Sequence, residues 1–176
     1  MIQEDTGTPD LLVRLEDKVA VITLNRPEAR NAMSGEMNAA LQKALYEAEL
    51  DPQVGCIVLT GAGKGFCAGG DVKGMASSGD GTVGDNTIDG AIHRQRDNQR
   101  ATAGKLFKMP KPTIASLPGA AAGAGLSLAL ACDLRIMSSK AFMTTAFAKV
   151  GFSGDYGGTY FMTQLIGSAK ARELYF

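Results

Sequence analysis

The sequence predicts an α/β fold, and three observations support this prediction. Short runs of apolar residues, typical of strands, occur at Leu11–Glu16 and Val19–Leu24. Apolar residues at helical spacing follow from Ser34, and another short apolar run covers residues 56–60. Strand, helix and strand joined by short connections form a βαβ unit, whose two strands are parallel.

The first predicted elements are an antiparallel hairpin and a helix. The polar residues Asp17 and Lys18 separate the first two apolar runs, which is typical of a tight turn. Residues 25–27 (Asn-Arg-Pro) then end the second strand. Ser34 is a suitable N-cap for a helix that ends near Asp51. This helix is predicted to bury one face, made of Met37, Ala40, Leu41, Ala44, Leu45 and Ala48.

Glycine is concentrated in loops that follow predicted core strands. Residues 61–71 hold five of the 22 glycines and begin at the carboxyl end of a strand, where open α/β sheets bind ligands. A second run of small residues, 119–132, follows the predicted strand 113–117 and is interpreted as a tight turn and a buried helix. Each loop can present unhindered backbone N–H groups. An oxyanion site, close helix–strand packing and a phosphate cradle all remain open from the residues alone.

The rest of the chain is predicted to alternate loops, helices and short strands. The expected elements are a surface loop at 77–90, a polar helix at 91–108, strands at 133–137 and 141–144, a glycine-rich loop at 151–159, and helical stretches at 160–166 and 168–176. The apolar face of the last stretch runs to the final residue without a terminator, so we expect a C-terminal part to be missing. Residues 1–176 are expected to form a single domain.

Composition and charge argue against several classes of function. Eighteen basic and 18 acidic residues cancel, so no broad field favours nucleic acid or an acidic membrane surface. The first ten residues lack the apolar core of a signal peptide, and no run approaches the roughly 20 apolar residues of a membrane span, so a cytoplasmic location is expected. Three unspaced cysteines and one histidine predict reduced thiols and no metal site.

Seven short motifs lie in an order that is specific to one family. The motifs are 25–33 (NRPEARNAM), 58–61 (VLTG), 65–73 (GFCAGGDVK), 112–115 (PTIA), 118–125 (PGAAAGAG), 132–133 (CD) and 157–159 (GGT). Together they resemble the crotonase superfamily, the enoyl-CoA hydratase/isomerase family, over residues 11–176. The resemblance implies repeated ββα units, an acyl-CoA thioester substrate and assembly into homotrimers or hexamers. It implies coenzyme A as part of the substrate, with no separate cofactor, and further C-terminal helices after Phe176.

The resemblance also assigns binding roles to individual residues. It places the two oxyanion donors on the backbone N–H groups of Gly70 and Ala124. A thioester carbonyl held by two such donors is stabilised as it becomes an enolate oxygen. Arg30 and Lys73 match positions that often lie near CoA phosphates, and Ala68 lies in the stretch that meets adenine. For the two basic residues, an exposed and solvated charge is the alternative interpretation.

Two departures from the family pattern weaken the assignment as a hydratase. The glutamates that activate water in hydratases align with Ser127 and Phe147, and neither residue can act as a carboxylate base. Asp155 matches a catalytic aspartate of several isomerases and aryl-CoA dehalogenases, although it could instead cap a helix. His93 offers a less favoured route to water activation, and Asp71 is expected to cap a short helix after the first glycine loop.

These observations favour one function and leave two alternatives open. The favoured function is an acyl-CoA isomerase that shifts a double bond, with Asp155 as the base. The first alternative is an enoyl-CoA hydratase, or an acyl-CoA or aryl-CoA hydrolase, that uses Asp155 to position water or as a nucleophile. The second is a catalytically silent CoA-binding scaffold, which the two missing glutamates would explain.

Overall fold

The computed structural model describes residues 2–71 and 87–176, so Lys73 and most of the predicted loop 77–90 lie outside the described residues. Six strands form one sheet in the order β1-β2-β3-β4-β5-β7, and two short strands, β6 and β8, form another. The strands are β1 (Ile2–Glu4), β2 (Leu11–Glu16), β3 (Val19–Leu24), β4 (Cys56–Gly61), β5 (Thr113–Leu117), β6 (Ala121–Ala122), β7 (Leu134–Met137) and β8 (Met143–Thr144). The α-helices are α1 (Gly35–Leu50), α2 (Ile88–Ala101), α3 (Ala103–Phe107), α4 (Ala124–Ala131) and α5 (Gly158–Tyr175).

The predicted hairpin is confirmed. Strands β2 and β3 pair antiparallel from Leu11 opposite Leu24 to Glu16 opposite Val19. The turn residues Asp17 and Lys18 both have positive φ, 47° and 66°, as a two-residue turn that matches the twist of the strands requires. Strand β1 was not predicted, because its three residues are too few to show a pattern. It pairs antiparallel with β2 at the edge of the sheet.

The predicted βαβ unit is also confirmed. Helix α1 begins after Ser34, whose side chain accepts a hydrogen bond from the Met37 N–H at 3.0 Å. All six residues predicted for its apolar face are buried. Strands β3 and β4 run parallel, as do β4 and β5, and β5 and β7. The carboxyl ends of these parallel strands therefore share one edge of the sheet, and both glycine loops begin there.

The helices depart from the prediction in three places. Residues 88–90, predicted as loop, are the first turn of α2, where the Thr87 side chain accepts a hydrogen bond from the Gly90 N–H. The predicted helix 91–108 is broken at Thr102, whose buried hydroxyl donates to the Asn98 carbonyl at 2.7 Å. Helix α5 joins the two predicted stretches across a kink at Gly167, where φ is 77°.

Helix α4 confirms the predicted buried helix. Every residue from Ala124 to Ala131 is buried, which explains why the segment carries only small and aliphatic side chains and one serine. Its first residue follows directly on the second glycine loop, so the helix points its N-terminal end at the shared edge of the sheet. None of the helices within residues 2–71 and 87–176 combines the length and apolar character needed to cross a membrane.

Candidate active site

The two glycine loops lie side by side at the carboxyl edge of the sheet. The N–H groups of Phe66 and Cys67 both donate to the Ala120 carbonyl, at 3.0 and 3.2 Å. In return, the Ala122 N–H donates to the Cys67 carbonyl at 2.9 Å. A side chain at Gly125 would overlap the Cys67 carbonyl oxygen, so this glycine serves close packing between α4 and the first loop.

The two loops also approach each other closely around Gly69 and Ala124. The φ of Gly69 is 102°, and a Cβ atom added there would lie 3.3 Å from the Ala124 nitrogen. The neighbouring Gly70 forms a parallel bridge with Met33, but the bridge uses the Gly69 carbonyl, which accepts from the Met33 N–H at 2.8 Å. Neither the Gly70 nor the Ala124 N–H donates a hydrogen bond to any group in the described part of the chain. Both amides are therefore available to an oxygen atom of a ligand.

Asn31 fixes the start of the first glycine loop. Its side chain is fully buried, and its Nδ2 group donates to the carbonyls of Ala62 and Gly65, both at 2.9 Å. Its Oδ1 atom accepts a hydrogen bond from the Arg26 N–H at 2.9 Å. Sequence reasoning assigned no role to Asn31. Asn31 lies within the motif 25–33, which indicated that the position matters. The motif does not show which distant carbonyls the side-chain amide contacts.

Replacing Asn31 by alanine is expected to lower the free energy of unfolding by about 2 to 4 kcal/mol, because two partly buried carbonyls lose their donor and the space of a fully buried side chain is left unfilled. The residue also has a φ of 56°, which alanine adopts less readily than asparagine does. Urea unfolding measures the change. Asn25→Ala is the matched control, since the Asn25 side chain makes one exposed hydrogen bond to the Pro9 carbonyl. Equal losses for both variants would contradict the role given to Asn31.

An ion-pair network holds the other end of the first loop. The Arg26 Nη1 group donates to Asp71 Oδ2 at 2.9 Å and to the Ala32 carbonyl at 2.8 Å. The Arg26 Nε atom lies 3.4 Å from Asp10 Oδ2, which accepts from the Ser34 hydroxyl at 2.5 Å. Asp71 was predicted to cap a helix, and the residues of that helix lie outside the described ones. Its ion pair with Arg26 was not predicted.

Asp155 lies next to α4, one helical turn from Ala124. The Ser127 hydroxyl donates to the Asp155 backbone carbonyl at 2.9 Å, and the Gly158 N–H donates to the same oxygen at 3.0 Å. The carboxyl Oδ1 atom is buried and has no hydrogen-bond partner among the described residues. Burial raises the pKa of Asp155 from its usual 3.8 to about 6. A carboxyl group with such a pKa can both accept and return a proton near neutral pH.

The two positions that the family resemblance aligns with hydratase glutamates carry no carboxylate here. Ser127 is fully buried, and its hydroxyl is engaged by the Asp155 carbonyl. Phe147 is also buried, and its ring edge lies 3.6 Å from a Cβ atom built on Gly123, next to the proposed donor Ala124. Phe147 therefore forms an apolar cover at the start of α4. The carboxyl group of Asp155 lies on the loop that contacts Ser127.

Two of the three residues predicted to contact coenzyme A lie next to each other. Arg30 and Ala68 are both exposed, and the Ala68 N–H donates to the Arg30 carbonyl at 3.0 Å. Lys73 lies outside the described residues.

Two other residues with reactive side chains lie outside the predicted CoA contacts. His93 is exposed on α2. Burial raises the pKa of the Cys67 thiol to about 12, so this cysteine between the loops stays protonated and is a poor nucleophile.

Comparison with known proteins gives concordant matches. The family model described as enoyl-CoA hydratase/isomerase matches residues 14–176. A Mycobacterium tuberculosis protein named Probable enoyl-CoA hydratase EchA14 is 40% identical over 162 residues, which are 92% of this chain and 60% of the relative. The 1,2-epoxyphenylacetyl-CoA isomerase of Escherichia coli K12 is 38% identical over 164 residues, or 93% of this chain and 61% of the isomerase.

A solved structure of similar shape agrees with these matches. The crystal structure of an enoyl-CoA hydratase from Polaromonas sp. JS666 superposes with a TM-score of 0.81 at 34% identity. The match covers 93% of this chain and 62% of that chain. The predicted crotonase-like α/β fold is thereby confirmed. The present chain spans about 60% of the length of the curated relatives described above.

Proposed function

The chain belongs to the enoyl-CoA hydratase/isomerase family, and from this membership we propose that it isomerises an unsaturated acyl-CoA thioester. The backbone N–H groups of Gly70 and Ala124 bind the thioester oxygen, and Asp155 is the base. Arg30, Ala68 and Lys73 contact coenzyme A in the same proposal, which also includes a homotrimeric or hexameric assembly. No further cofactor takes part.

The proposed reaction moves one proton along the acyl chain. The Asp155 carboxylate removes a proton from the carbon next to the thioester of a β,γ-unsaturated substrate. The electrons of that C–H bond move toward the carbonyl, and the resulting dienolate oxygen accepts hydrogen bonds from the Gly70 and Ala124 N–H groups. Asp155 then returns the proton to the γ carbon, and the double bond ends between the α and β carbons. Atoms balance, since no water is added or lost.

The observation that supports this proposal most is the state of Asp155. Its carboxyl group has a pKa of about 6 because of burial, and it is joined through Ser127 to the helix that begins at Ala124. The names of the relatives include both a hydratase and an isomerase. The preference for isomerisation therefore rests on Ser127 and Phe147, which replace the two carboxylates that a water-adding mechanism uses.

The activity should depend on pH through Asp155. A base acts in its deprotonated form, so kcat/KM is expected to rise with pH through a midpoint near the pKa of about 6 and then level off. Initial rates measured from pH 4.5 to 8 in well-buffered solutions test this pH dependence. A profile that is flat between pH 5 and 7, at rates limited by chemistry, would exclude a base of this pKa.

The decisive experiment identifies the product by mass. The full chain is incubated with β,γ-enoyl-CoA, α,β-enoyl-CoA and aryl-CoA thioesters, and products are analysed by mass spectrometry and ultraviolet absorbance. Isomerisation gives a conjugated product without change of mass. A gain of one water would instead support the hydratase alternative, and free coenzyme A would support a hydrolase. If calorimetry shows tight binding of acyl-CoA but no product forms, the result supports the silent CoA-binding scaffold. A lack of binding would overturn all of these functions.

A further inference from the structure

Two buried polar oxygens, one of the proposed base and one of a tyrosine close to it, have no hydrogen-bond partner among the described residues. They are Asp155 Oδ1 and the Tyr175 hydroxyl oxygen, and no other buried side-chain nitrogen or oxygen in the described part of the chain shares this property. A buried polar group without a partner costs about 1 to 3 kcal/mol, so such groups are rare, and each has a cause such as a bound water or a catalytic role. Their occurrence at one place calls for a common explanation.

The Tyr175 hydroxyl lies against the loop that carries Asp155. A Cβ atom built on Gly154 would be 3.3 Å from this hydroxyl oxygen, and one built on Gly158 would be 3.1 Å from it. The Gly158 position would also overlap the Ser127 hydroxyl. The glycines on either side of Asp155 therefore leave the space that the tyrosine hydroxyl fills. Burial raises the pKa of the Tyr175 hydroxyl, and the nearby Asp155 charge raises this pKa further.

We propose that Tyr175 is a positioning residue that donates a hydrogen bond to the Asp155 carboxylate, directly after a small side-chain rotation or through one water molecule. This inference rests on the proposed role of Asp155 as the base. A single donor satisfies both unpartnered oxygens at once. It also holds the carboxylate in one orientation while burial keeps the group easy to protonate.

Among the described residues, the other groups around Asp155 do not offer the same donor. Burial raises the pKa of Tyr156, and the Asp155 charge raises it further, but the Tyr156 hydroxyl already donates to Asn38 Oδ1 on α1 at 3.5 Å. Helix α4 presents Ser127, which does not titrate and whose hydroxyl donates to the Asp155 backbone carbonyl. Helix α5 contributes Tyr175 through its second half, after the kink at Gly167.

The test is a titration of the Asp155 carboxyl group by carbon-detected NMR in the full chain, with the signal assigned by its loss in Asp155→Asn. In Tyr175→Phe the carboxylate loses its donor, so the midpoint is expected to rise by about one pH unit above the unmodified protein's. The acid limb of kcat/KM should move by the same amount, while KM changes little. Tyr160→Phe is the matched control, because Tyr160 lies on the same helix in an aromatic cluster with Phe107 and Phe161.

A second measurement checks the same pairing in a variant that keeps Tyr175, so that local rearrangement in Tyr175→Phe does not affect it. The ultraviolet titration of Tyr175 in Asp155→Asn should show a lower midpoint than in the unmodified protein, because the neighbouring charge is gone. An Asp155 midpoint that shifts no more in Tyr175→Phe than in Tyr160→Phe would overturn the inference, whatever the activity. A shifted midpoint in a protein that turns over no acyl-CoA would retain the pairing and refute the proposed function instead.

Discussion

Replacing Asp155 by asparagine is expected to lower kcat for the proposed isomerisation by about 1,000-fold or more, because the amide cannot accept and return a proton. The shape of the side chain is kept, and the Asp155 backbone carbonyl still accepts from Ser127 and Gly158. The variant should therefore fold and bind acyl-CoA normally. Single-turnover rates and calorimetric binding measure the two effects separately. Undiminished turnover would remove Asp155 from the mechanism.

The same substitution is expected to stabilise the fold at neutral pH. Burial raises the folded-state pKa of Asp155 from 3.8 to about 6, so the folded protein holds the proton more tightly than the unfolded chain does. Stability is therefore highest below pH 3.8 with respect to this group, and falls as pH rises to about 6. Partial exposure reduces the cost to about 1 kcal/mol, so Asp155→Asn should raise Tm at neutral pH by about 2 to 4 °C.

The exposed Asp97 on α2 offers a control for both effects. Its side chain is 61% exposed and lies 3.8 Å from Arg100, an arrangement that contributes little in water. Asp97→Asn should leave both the rate and Tm close to those of the unmodified protein. A fall of Tm in Asp155→Asn comparable to that of a core variant would show that the carboxylate supports the fold rather than the chemistry.

Replacing Gly69 by alanine is expected to reduce both stability and activity strongly. Its φ of 102° is strained for any residue with a side chain, at a cost of about 1 to 3 kcal/mol. The added Cβ atom would lie 3.1 Å from the Ala122 carbonyl and 3.3 Å from the Ala124 nitrogen, so it would push the two glycine loops apart. Displacement of the proposed donor Ala124 should lower kcat for the proposed isomerisation about 100-fold to 1,000-fold.

Gly65→Ala is a matched control in the same loop. No atom lies within 4 Å of a Cβ built on Gly65, and its φ is not positive. The Gly65 carbonyl that accepts from Asn31 is unchanged by the substitution. Thermal unfolding and initial rates of the two alanine variants should therefore differ widely. If Gly69→Ala lost stability but kept its full rate, the spacing of the two loops would not matter for the reaction.

Local elements could be predicted because their signals lie within a few residues. The polar pair at Asp17 and Lys18 specified the hairpin turn, and Ser34 with the apolar spacing behind it specified α1. The break at Thr102 was missed, because the polar sequence around it continues the helical pattern on both sides. The start of α2 was missed because glycine, aspartate, serine and threonine make up most of residues 77–90.

The site was harder to predict than the fold. The resemblance to the family pointed to Gly70, Ala124 and Asp155, but local residues could not show what surrounds them. Tyr175 reaches the Asp155 loop from 20 positions away in the sequence, across the kink at Gly167. Asn31 precedes α1 in the sequence but contacts the carbonyls of Ala62 and Gly65, which follow β4. Such contacts depend on tertiary packing, which propensity and spacing do not encode.

The contacts that run from Ser34 through Asp10 and Arg26 to Asp71 have a consequence for protein engineering. They fasten the end of the first glycine loop to the N-terminus of α1 and to the entrance of β2. The conformation of the loop therefore depends on residues outside it. Grafting residues 61–71 alone onto another scaffold would leave Asp71 without its arginine, so a working transplant has to include partners from three separate stretches of the chain.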